Sequence, residues 1–186
     1  MLSYRSAWID SPAASALQDY LRQQVCWRQE SLQLYGRRVR VPRQVAWFGD
    51  VGVNYRYAGA DHRCAGWLPP LERLRARLAD ELGWYCNLVL LNRYRGGDDY
   101  MGWHADDERG HKPPVASVSL GATRRFLVRP RDEEDPPGAR RSLPLDLEHG
   151  SLLLMDGRMR HTLPKTRRPV PERINLTYRC IAVDEA

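Results

Sequence analysis

The chain has 186 residues, of which 42% are hydrophobic and 28% charged, a composition typical of one globular domain rather than a disordered chain. Its longest apolar runs, such as Leu88–Leu91 and Leu152–Met155, are far too short to cross a bilayer. The net charge is +6 and almost all of the positive charge is arginine, which permits a nucleic-acid partner as readily as it reflects an arginine-rich proteome.

Two amphipathic helices are predicted in the first half of the chain. The first begins at Ser11-Pro12, where serine is the expected cap and proline fits the first turn. Its apolar face carries Leu17, Tyr20, Leu21 and Val25. The second follows Trp67–Pro70 and should end at Gly83. Its leucines recur at helical spacing, at Leu71, Leu74, Leu78 and Leu82.

Most of the remaining chain is predicted to form strands. The strand-like segments are Arg38–Trp47, Tyr85–Tyr94, Val115–Arg129, Gly150–Met155 and Arg173–Val183. Between two of them, Asp132–Arg141 is an acidic, proline-containing segment and is predicted to be a solvated loop. Two helices followed by many strands predict an α+β protein, with helices packed on one side of a β-sandwich or jelly roll.

Several classes of protein are not expected. The cysteines Cys26, Cys64, Cys86 and Cys180 are scattered and form no C-x-x-C motif, which argues against a thiolate zinc site or a disulfide framework. The N-terminus has no apolar stretch like that of a secretion signal. We therefore expect a cytoplasmic protein, or a nuclear one in a eukaryote, that does not contact a membrane.

His104 and Asp106 are the first candidate ligands of a metal. They lie two residues apart in Gly102–Glu108, and in an extended segment both side chains leave the same face. One imidazole and one carboxylate are two of the three ligands of a facial triad for non-haem iron(II). The third should be a histidine from a distant strand. The motif alone is weak, and a surface histidine is the alternative interpretation.

A second region supplies that histidine and an unusual strand. The apolar strand Gly150–Met155 leads to His161. Beyond it, Arg173–Arg179 alternates strictly and places four polar side chains on one face, namely Arg173, Asn175, Thr177 and Arg179. Two arginines on a core-like strand are costly to bury without partners, and a dicarboxylate ligand would provide them. Asn92 and Tyr94 likewise share one face of an apolar strand.

Together these motifs resemble the AlkB family of 2-oxoglutarate-dependent dioxygenases. The matching motifs are N-x-Y at Asn92 and Tyr94, G-W-H-x-D-D-E at Gly102–Glu108, S-L-G at Ser119–Gly121, G-S-L-L-L-M at Gly150–Met155, H-x-x-P-K at His161–Lys165 and R-x-N-x-T-x-R at Arg173–Arg179. Upstream, Val41–Gln44, Phe48–Asp50 and Tyr55–Gly59 are also similar. The resemblance covers nearly the whole chain, with several spaced motifs in the right order.

The resemblance implies a single domain over residues 1–186 with a double-stranded β-helix (jelly-roll) core. The core would span about residues 85–183, and a nucleotide-recognition region about residues 1–60. The implied iron ligands are His104, Asp106 and His161. The implied 2-oxoglutarate residues are Arg173 for the distal carboxylate, Tyr94 and Asn175 beside it, Asn92 and Arg179 at the other end, and Thr177 on the same face.

The activity implied by the resemblance is oxidative demethylation of N-alkylated bases such as 1-methyladenine and 3-methylcytosine. It consumes iron-bound 2-oxoglutarate and O₂ and gives succinate, carbon dioxide and formaldehyde. One departure from the family is the short segment Asp156–Arg160, since relatives have more residues before the distal histidine. The other histidines, His62, His111 and His149, lack a matching context and are interpreted as structural or exposed.

Four residues are candidates for contact with the damaged base. The base must be flipped out of its stack or already single-stranded. Tyr55 and Tyr57 lie two apart and would line a stacking pocket, although a strand with aromatic core residues is the alternative. The resemblance favours Tyr57 for stacking. Glu108 is the carboxylate expected near a cationic base, and a solvated charge is its alternative. The fourth candidate, Tyr35, lies in a hairpin.

The segment Leu34–Arg40 resembles the hairpin that some duplex-acting relatives insert into DNA. Tyr35 beside Gly36 would wedge into the gap left by a flipped base. The phosphate contacts around it would come from Arg37, Arg38, Arg40 and Arg43. A basic edge strand that keeps the protein soluble is an equal interpretation of the same arginines.

Three other functions fit the sequence. A relative that demethylates RNA, or one that hydroxylates a protein side chain, would carry the same metal and cosubstrate motifs. A non-catalytic nucleic-acid-binding jelly roll is the alternative from another class, against which the complete ligand set argues. We expect a monomer that acts on alkylated DNA, single- or double-stranded, with RNA as the alternative substrate.

Overall fold

The structure is a computed structural model that describes residues 1–34, 36–57, 60–106, 111–129 and 142–182. Within these ranges the backbone alone is described at residues 32–34, 38, 55–57, 60–61 and 111–113. The predicted loop Asp132–Arg141 lies outside them. The helices are α1 (Ser11–Gln24) and α2 (Pro69–Leu82). The strands are β1 (Leu2–Arg5), β2 (Ser31–Leu34), β3 (Arg37–Arg40), β4 (Gln44–Gly49), β5 (Asn54–Tyr57), β6 (Ala60–Arg63), β7 (Leu88–Tyr94), β8 (Met101–His104), β9 (His111–Gly121), β10 (Arg124–Arg129), β11 (Leu143–Leu147), β12 (Leu152–Met155), β13 (Arg160–Leu163) and β14 (Arg173–Ile181).

Two antiparallel sheets form the core of the fold. The large sheet has the strand order β1-β12-β9-β14-β7-β4, and the small sheet has the order β11-β10-β13-β8. An apolar cluster that includes Tyr94, Val115, Phe126 and Leu163 joins the facing sides of the two sheets. This arrangement, with the helices on the other side of the large sheet, confirms the predicted jelly-roll core.

Both helices pack on the outer face of the large sheet. Leu21 of α1 and Leu78 of α2 lie in one buried cluster with sheet residues such as Leu91 and Leu176. Among the described residues, no helix combines the length and apolar character that a membrane span requires.

The helix ends differ in one place from the sequence prediction. Asp10, rather than Ser11, caps α1, because its carboxylate accepts a hydrogen bond of 2.9 Å from the Ala13 N–H. Ser11 is the first helical residue and Pro12 still lies in the first turn. The end of α2 is as predicted, since Gly83 adopts a left-handed conformation with φ of 61°.

Asp50 fixes the position of α2 against the loop that follows β4. Its carboxylate accepts hydrogen bonds from Trp67 Nε1 at 2.7 Å, from Arg75 Nη1 at 2.5 Å and from Tyr85 Oη at 2.7 Å. Burial tends to raise the pKa of Asp50, but the hydrogen bonds from Tyr85 and Trp67 outweigh it, so the pKa lies below its ordinary value.

Two of the predicted strands are divided in the structure. Arg38–Trp47 is interrupted between β3 and β4, since Val41–Arg43 form no strand. Val115–Arg129 turns at Gly121, whose φ of 87° starts the crossing from the large sheet to the small one. Pro42 and Gly121 lie at these two interruptions and are the local signals of them.

The first 60 residues, which the sequence assigns to nucleotide recognition, also contribute to the core sheet. β1 pairs with β12 and β4 pairs with β7, so both edges of the large sheet come from this region. The remaining strands of the region form two separate hairpins, β2-β3 and β5-β6. These hairpins carry most of the residues predicted to contact nucleic acid.

Candidate active site

One cavity between the two sheets brings together all of the predicted metal and cosubstrate residues. Those residues are Asn92, Tyr94, His104, Asp106, His161, Arg173, Asn175, Thr177 and Arg179. Strand register explains their convergence, because Arg173 lies opposite Tyr94 and Asn175 lies opposite Asn92 in the β14-β7 pair. As the alternation predicted, Ile174 and Leu176 point away from the cavity into the core beneath the helices.

His104, Asp106 and His161 form a compact triad at one end of the cavity. His104 on β8 lies directly opposite His161 on β13. His104 Nε2 is 3.6 Å from Asp106 Oδ1, and His161 Nε2 is 3.7 Å from Asp106 Oδ2. One donor atom from each of the three residues lies within 4.8 Å of the others. Two imidazoles and a carboxylate at this spacing are suited to a single divalent metal ion.

Both histidines have the tautomer that a metal ligand needs. Each Nδ1 lies 2.9 Å from a backbone carbonyl two residues earlier, that of Gly102 for His104 and that of Met159 for His161. A carbonyl only accepts, so each Nδ1 carries the proton and each Nε2 presents a lone pair. Burial, followed by the proximity of His161, lowers the pKa of His104 to about 4, so its ring is neutral at pH 7.

The backbone and an arginine hold Asp106 in place. Its backbone N–H donates to the Gly157 carbonyl at 2.7 Å, and Arg179 Nη2 donates to its Oδ1 at 2.7 Å. Gly157 belongs to a tight turn in which the Met159 N–H donates to the Asp156 carbonyl at 3.0 Å. The short segment before His161 is therefore this turn, and it contacts one ligand while leading directly to the next.

A buried arginine stands apart from the triad in the same cavity. Arg173 is 2% exposed, and its Nη2 donates to Ser119 Oγ at 3.0 Å. Among the described residues its Nε has no hydrogen-bond partner. Burial lowers the pKa of Arg173 from its ordinary value to about 10, which still leaves it charged at pH 7. A buried, charged guanidinium with an unused donor is suited to a carboxylate.

The polar residues between the arginine and the triad differ in how fully they are bonded within the protein. Asn175 Nδ2 donates to Ser117 Oγ at 2.7 Å and to the Val118 carbonyl at 3.0 Å. Its Oδ1 accepts from Thr177 Oγ1 at 2.9 Å. The side chains of Asn175 and Thr177 are thus held by hydrogen bonds within the protein. The amide nitrogen of Asn92, in contrast, can donate to a ligand in the cavity.

Comparison with known families agrees with this geometry. A family model described as the 2OG-Fe(II) oxygenase superfamily matches residues 2–179, which is nearly the whole chain. The chain belongs to the 2OG-Fe(II) oxygenase superfamily. Within it, the relatives confirm the resemblance to the AlkB family.

Two relatives align with this chain over different lengths. DNA oxidative demethylase ALKBH2 of Homo sapiens is 40% identical over 158 residues, which cover 81% of this chain and 60% of that protein. Alpha-ketoglutarate-dependent dioxygenase alkB homolog 3 of Rattus norvegicus is 33% identical over 188 residues, which cover 95% of this chain and 63% of that protein. The chain spans 57% to 66% of the ALKBH2 relatives from cattle, human and mouse.

A solved structure has the same fold as this chain. An oxidoreductase of the 2OG-Fe(II) oxygenase family from Burkholderia pseudomallei superposes with a TM-score of 0.65 at 18% identity. The match covers 96% of this chain and 84% of the other. At this identity the likeness concerns the jelly-roll architecture alone.

The residues predicted to contact nucleic acid differ in where they lie and in how much of each is described. Tyr35 and Glu108 lie outside the described residues. Tyr55 and Tyr57 lie on β5, where only the backbone is described. Arg37, Arg38 and Arg40 lie on β3 of the β2-β3 hairpin; Arg37 and Arg40 are exposed there, and the side chain of Arg38 is not described.

Arg43 does not have the position predicted for a phosphate contact. It is 6% exposed, and its Nε donates to Asn92 Oδ1 at 2.8 Å. The reason is the register of β4 against β7, which places Val45 opposite Asn92. Arg43 is two residues before Val45, so its side chain is on the same face of the sheet as that of Asn92. The basic charge of Arg43 did not reveal whether the side chain is exposed, and the structure shows that it is buried.

Three structural residues of the site were missed in the sequence. Ser119 and Ser117 hold Arg173 and Asn175, and their signal was the alternation of serine with apolar residues along β9. Arg124 is 1% exposed and donates to the carbonyls of Gly96 at 3.0 Å, Asp99 at 3.1 Å and Pro164 at 2.8 Å. It ties together the loops beside the cavity, and no local pattern distinguishes it from the exposed Arg125.

Proposed function

We propose that this protein is an iron(II)- and 2-oxoglutarate-dependent dioxygenase that removes N-linked methyl groups from bases in DNA. The observation that carries the proposal is the set of residues that line one cavity. It has a triad of two histidines and one carboxylate at one place and the buried cation of Arg173 at another. A dicarboxylate that chelates a metal through one end and pairs with an arginine through the other matches both features.

In this proposal each side chain has a distinct task. His104, Asp106 and His161 would hold the iron, and Arg173, held in place by Ser119, would bind the distal carboxylate of 2-oxoglutarate. When bound, iron, 2-oxoglutarate and O₂ would together supply the chemistry: one oxygen atom goes to succinate, formed with loss of carbon dioxide, and the other to the methyl carbon, which then leaves as formaldehyde. Arg179 would orient the Asp106 carboxylate through its hydrogen bond of 2.7 Å.

Apolar side chains give the cavity a second property. Met101, Phe126, Met155 and Leu163 line it beside the polar residues. They exclude water from the reacting groups, which strengthens the electrostatic contacts of the triad and of Arg173. Phe126 also packs on the ring of His161, with 5.3 Å between ring centroids, and so holds that ligand in place.

Nucleic acid is the proposed substrate because the relatives and the charge distribution agree. The ALKBH2 relatives are named DNA oxidative demethylases. Exposed Arg37 and Arg40 on the β2-β3 hairpin are suited to phosphates. We further propose that Tyr35 acts as the wedge in duplexes, and that Tyr55, Tyr57 and Glu108 surround the flipped base. The enzyme would act as a monomer on DNA in the cytoplasm, or in the nucleus of a eukaryote.

Two measurements test the proposal. Anaerobic addition of iron(II) and 2-oxoglutarate should give the weak visible charge-transfer band of the chelated metal, and Arg173→Ala should require far more 2-oxoglutarate to produce it. A panel of 1-methyladenine and 3-methylcytosine in single-stranded DNA, duplex DNA and RNA should release formaldehyde, with DNA preferred. A charge-transfer band without formaldehyde from any oligonucleotide would favour a protein substrate, and absence of the band would refute the dioxygenase.

A further inference from the structure

Arg43 makes an unusual contact at the edge of the cavity. It lies just before β4, and its Nε–H donates to the side-chain oxygen of Asn92 on β7 at 2.8 Å. Both residues are buried, with Asn92 2% exposed and Arg43 6% exposed. Asn92 lines the cavity, whereas Arg43 is not among the lining residues. Arg43 therefore acts on the cavity through another side chain.

The contact determines which way the Asn92 amide faces. A guanidinium has only donors, so the atom bonded to Arg43 must be the amide oxygen. The Asn92 nitrogen, with its two protons, is then the atom left for the cavity. Among the described residues no acceptor bonds that nitrogen, in contrast to Asn175, whose nitrogen bonds Ser117 Oγ at 2.7 Å. Asn92 is thus presented as a donor to whatever occupies the cavity.

We propose that Arg43 is a positioning residue that locks Asn92 as a hydrogen-bond donor toward the bound cosubstrate. This inference rests on the proposed use of 2-oxoglutarate, whose oxygens at neutral pH are all acceptors. An unrestrained amide would present its oxygen in part of the population, and that orientation opposes the oxygens of the cosubstrate. By fixing one orientation before binding, Arg43 removes the free-energy cost of selecting it.

The position of Arg43 gives the contact a second consequence. Arg43 follows β3 of the β2-β3 hairpin by three residues, and the Tyr100 N–H donates to the carbonyl of its neighbour Pro42 at 3.1 Å. The chain that carries the hairpin therefore passes the cavity wall at Arg43. A movement of the chain between β3 and β4 would therefore change the orientation of Asn92 through its hydrogen bond with Arg43, even if nucleic acid does not contact Arg43.

A double-mutant cycle on cosubstrate binding tests the assignment. The affinity of 2-oxoglutarate is measured by calorimetry with Mn(II) in place of iron, so that no turnover is needed. Arg43→Met should weaken binding about tenfold, which corresponds to about 1.4 kcal/mol. Arg43→Lys retains a donor with shorter reach and should lose less. In an Asn92→Ala background, Arg43→Met should have no further effect, because the amide to be oriented is gone.

Control variants separate this role from the alternatives. Arg125→Met removes an exposed arginine paired with Asp146 on the small sheet and should leave 2-oxoglutarate affinity unchanged. The salt dependence of DNA binding should be that of the wild type for Arg43→Met and should flatten for Arg37→Met, which removes an exposed cation. A flattened slope for Arg43→Met would identify a phosphate contact and overturn the proposal.

The possible results also distinguish this inference from the proposed function. If the wild-type protein does not bind 2-oxoglutarate with Mn(II), the proposed function fails. If the wild type binds 2-oxoglutarate and both Arg43→Met and Arg43→Lys bind it as tightly as the wild type does, the positioning role is wrong and the proposed function stands. Additive losses in the cycle would show that Arg43 merely supports the sheet. Should Arg43→Met fail to fold, Arg43→Lys carries the same cycle.

Discussion

Replacement of Arg173 with methionine should make the metal-free protein more stable and leave it unable to bind 2-oxoglutarate. Methionine follows the arginine stem as far as the ε position, is flexible enough to fill part of the vacated space and carries no charge. Arg173 is fully buried, and its Nε has no hydrogen-bond partner among the described residues. Without a bound carboxylate, the fold therefore contains a cation that is only partly compensated.

The magnitude follows from the pKa. Burial lowers the pKa of Arg173 from its ordinary value to about 10, so the folded state holds this proton less tightly than the unfolded chain does. The charge thus destabilises the fold at pH 7, and the cost is relieved only as the pH rises through 10. The difference between the two pKa values corresponds to about 3 kcal/mol.

Two favourable contacts are lost in the same variant. The hydrogen bond from Arg173 to Ser119 Oγ contributes about 1 kcal/mol. The contact of the guanidinium with the Tyr94 ring, 5.5 Å from its centroid, contributes roughly 0.5–1 kcal/mol. The expected net gain is about 1–2 kcal/mol, which raises the melting temperature of a chain of this size by roughly 2–8 °C.

Denaturation of the metal-free protein, with and without Mn(II) and 2-oxoglutarate, measures both effects. Ligand at one hundred times its dissociation constant stabilises the wild type by about 2.7 kcal/mol, and Arg173→Met should show none of this gain. Arg173→Lys keeps a buried cation and serves as the matched control, which should gain no stability. If metal-free Arg173→Met proves less stable than the wild type, the charge is not a burden on the fold and the reasoning is wrong.

Three further predictions concern the ligand set, the support of α2 and the wedge. His161→Ala should remain folded but lose bound iron and succinate formation; near-normal turnover would place the third ligand elsewhere. Asp50→Ala should lower the free energy of unfolding by about 1–2 kcal/mol, because Trp67 Nε1 and Arg75 lose their acceptor. In the wild type the pKa of Asp50 is lowered, so its contribution is complete above its ordinary pKa of 3.8 and declines as the pH falls further. Tyr35→Ala should slow repair of duplex DNA more than of single strands, and an equal rate ratio for variant and wild type would mean that Tyr35 only packs in its hairpin.

The local pattern of the chain was sufficient for the residues that share one strand face. His104 and Asp106 lie two residues apart, and so do the polar residues from Arg173 to Arg179. A strand has a repeat of two, so each group was expected on one face, and the cavity contains both groups. The site could therefore be predicted strand by strand.

Contacts between distant strands could not be predicted in this way. The bond of Arg173 to Ser119 depends on the β14-β9 register, and the bond of Arg43 to Asn92 depends on the β4-β7 register. A shift of one residue in either pair would turn the same side chains to the opposite face. Local sequence does not specify register between segments that are far apart, so Arg43 was expected at the surface.

The pairing of His104 with His161 across β8 and β13 also bears on how the protein matures. These strands are widely separated in the chain, and contacts of this kind form slowly because a long loop must close first. Iron thus has no complete site until the small sheet has assembled, and it cannot template the early steps of folding. During refolding, the rate at which tight iron binding appears should equal the rate at which β8 and β13 become protected from hydrogen exchange. Metal binding would then report when the small sheet assembles.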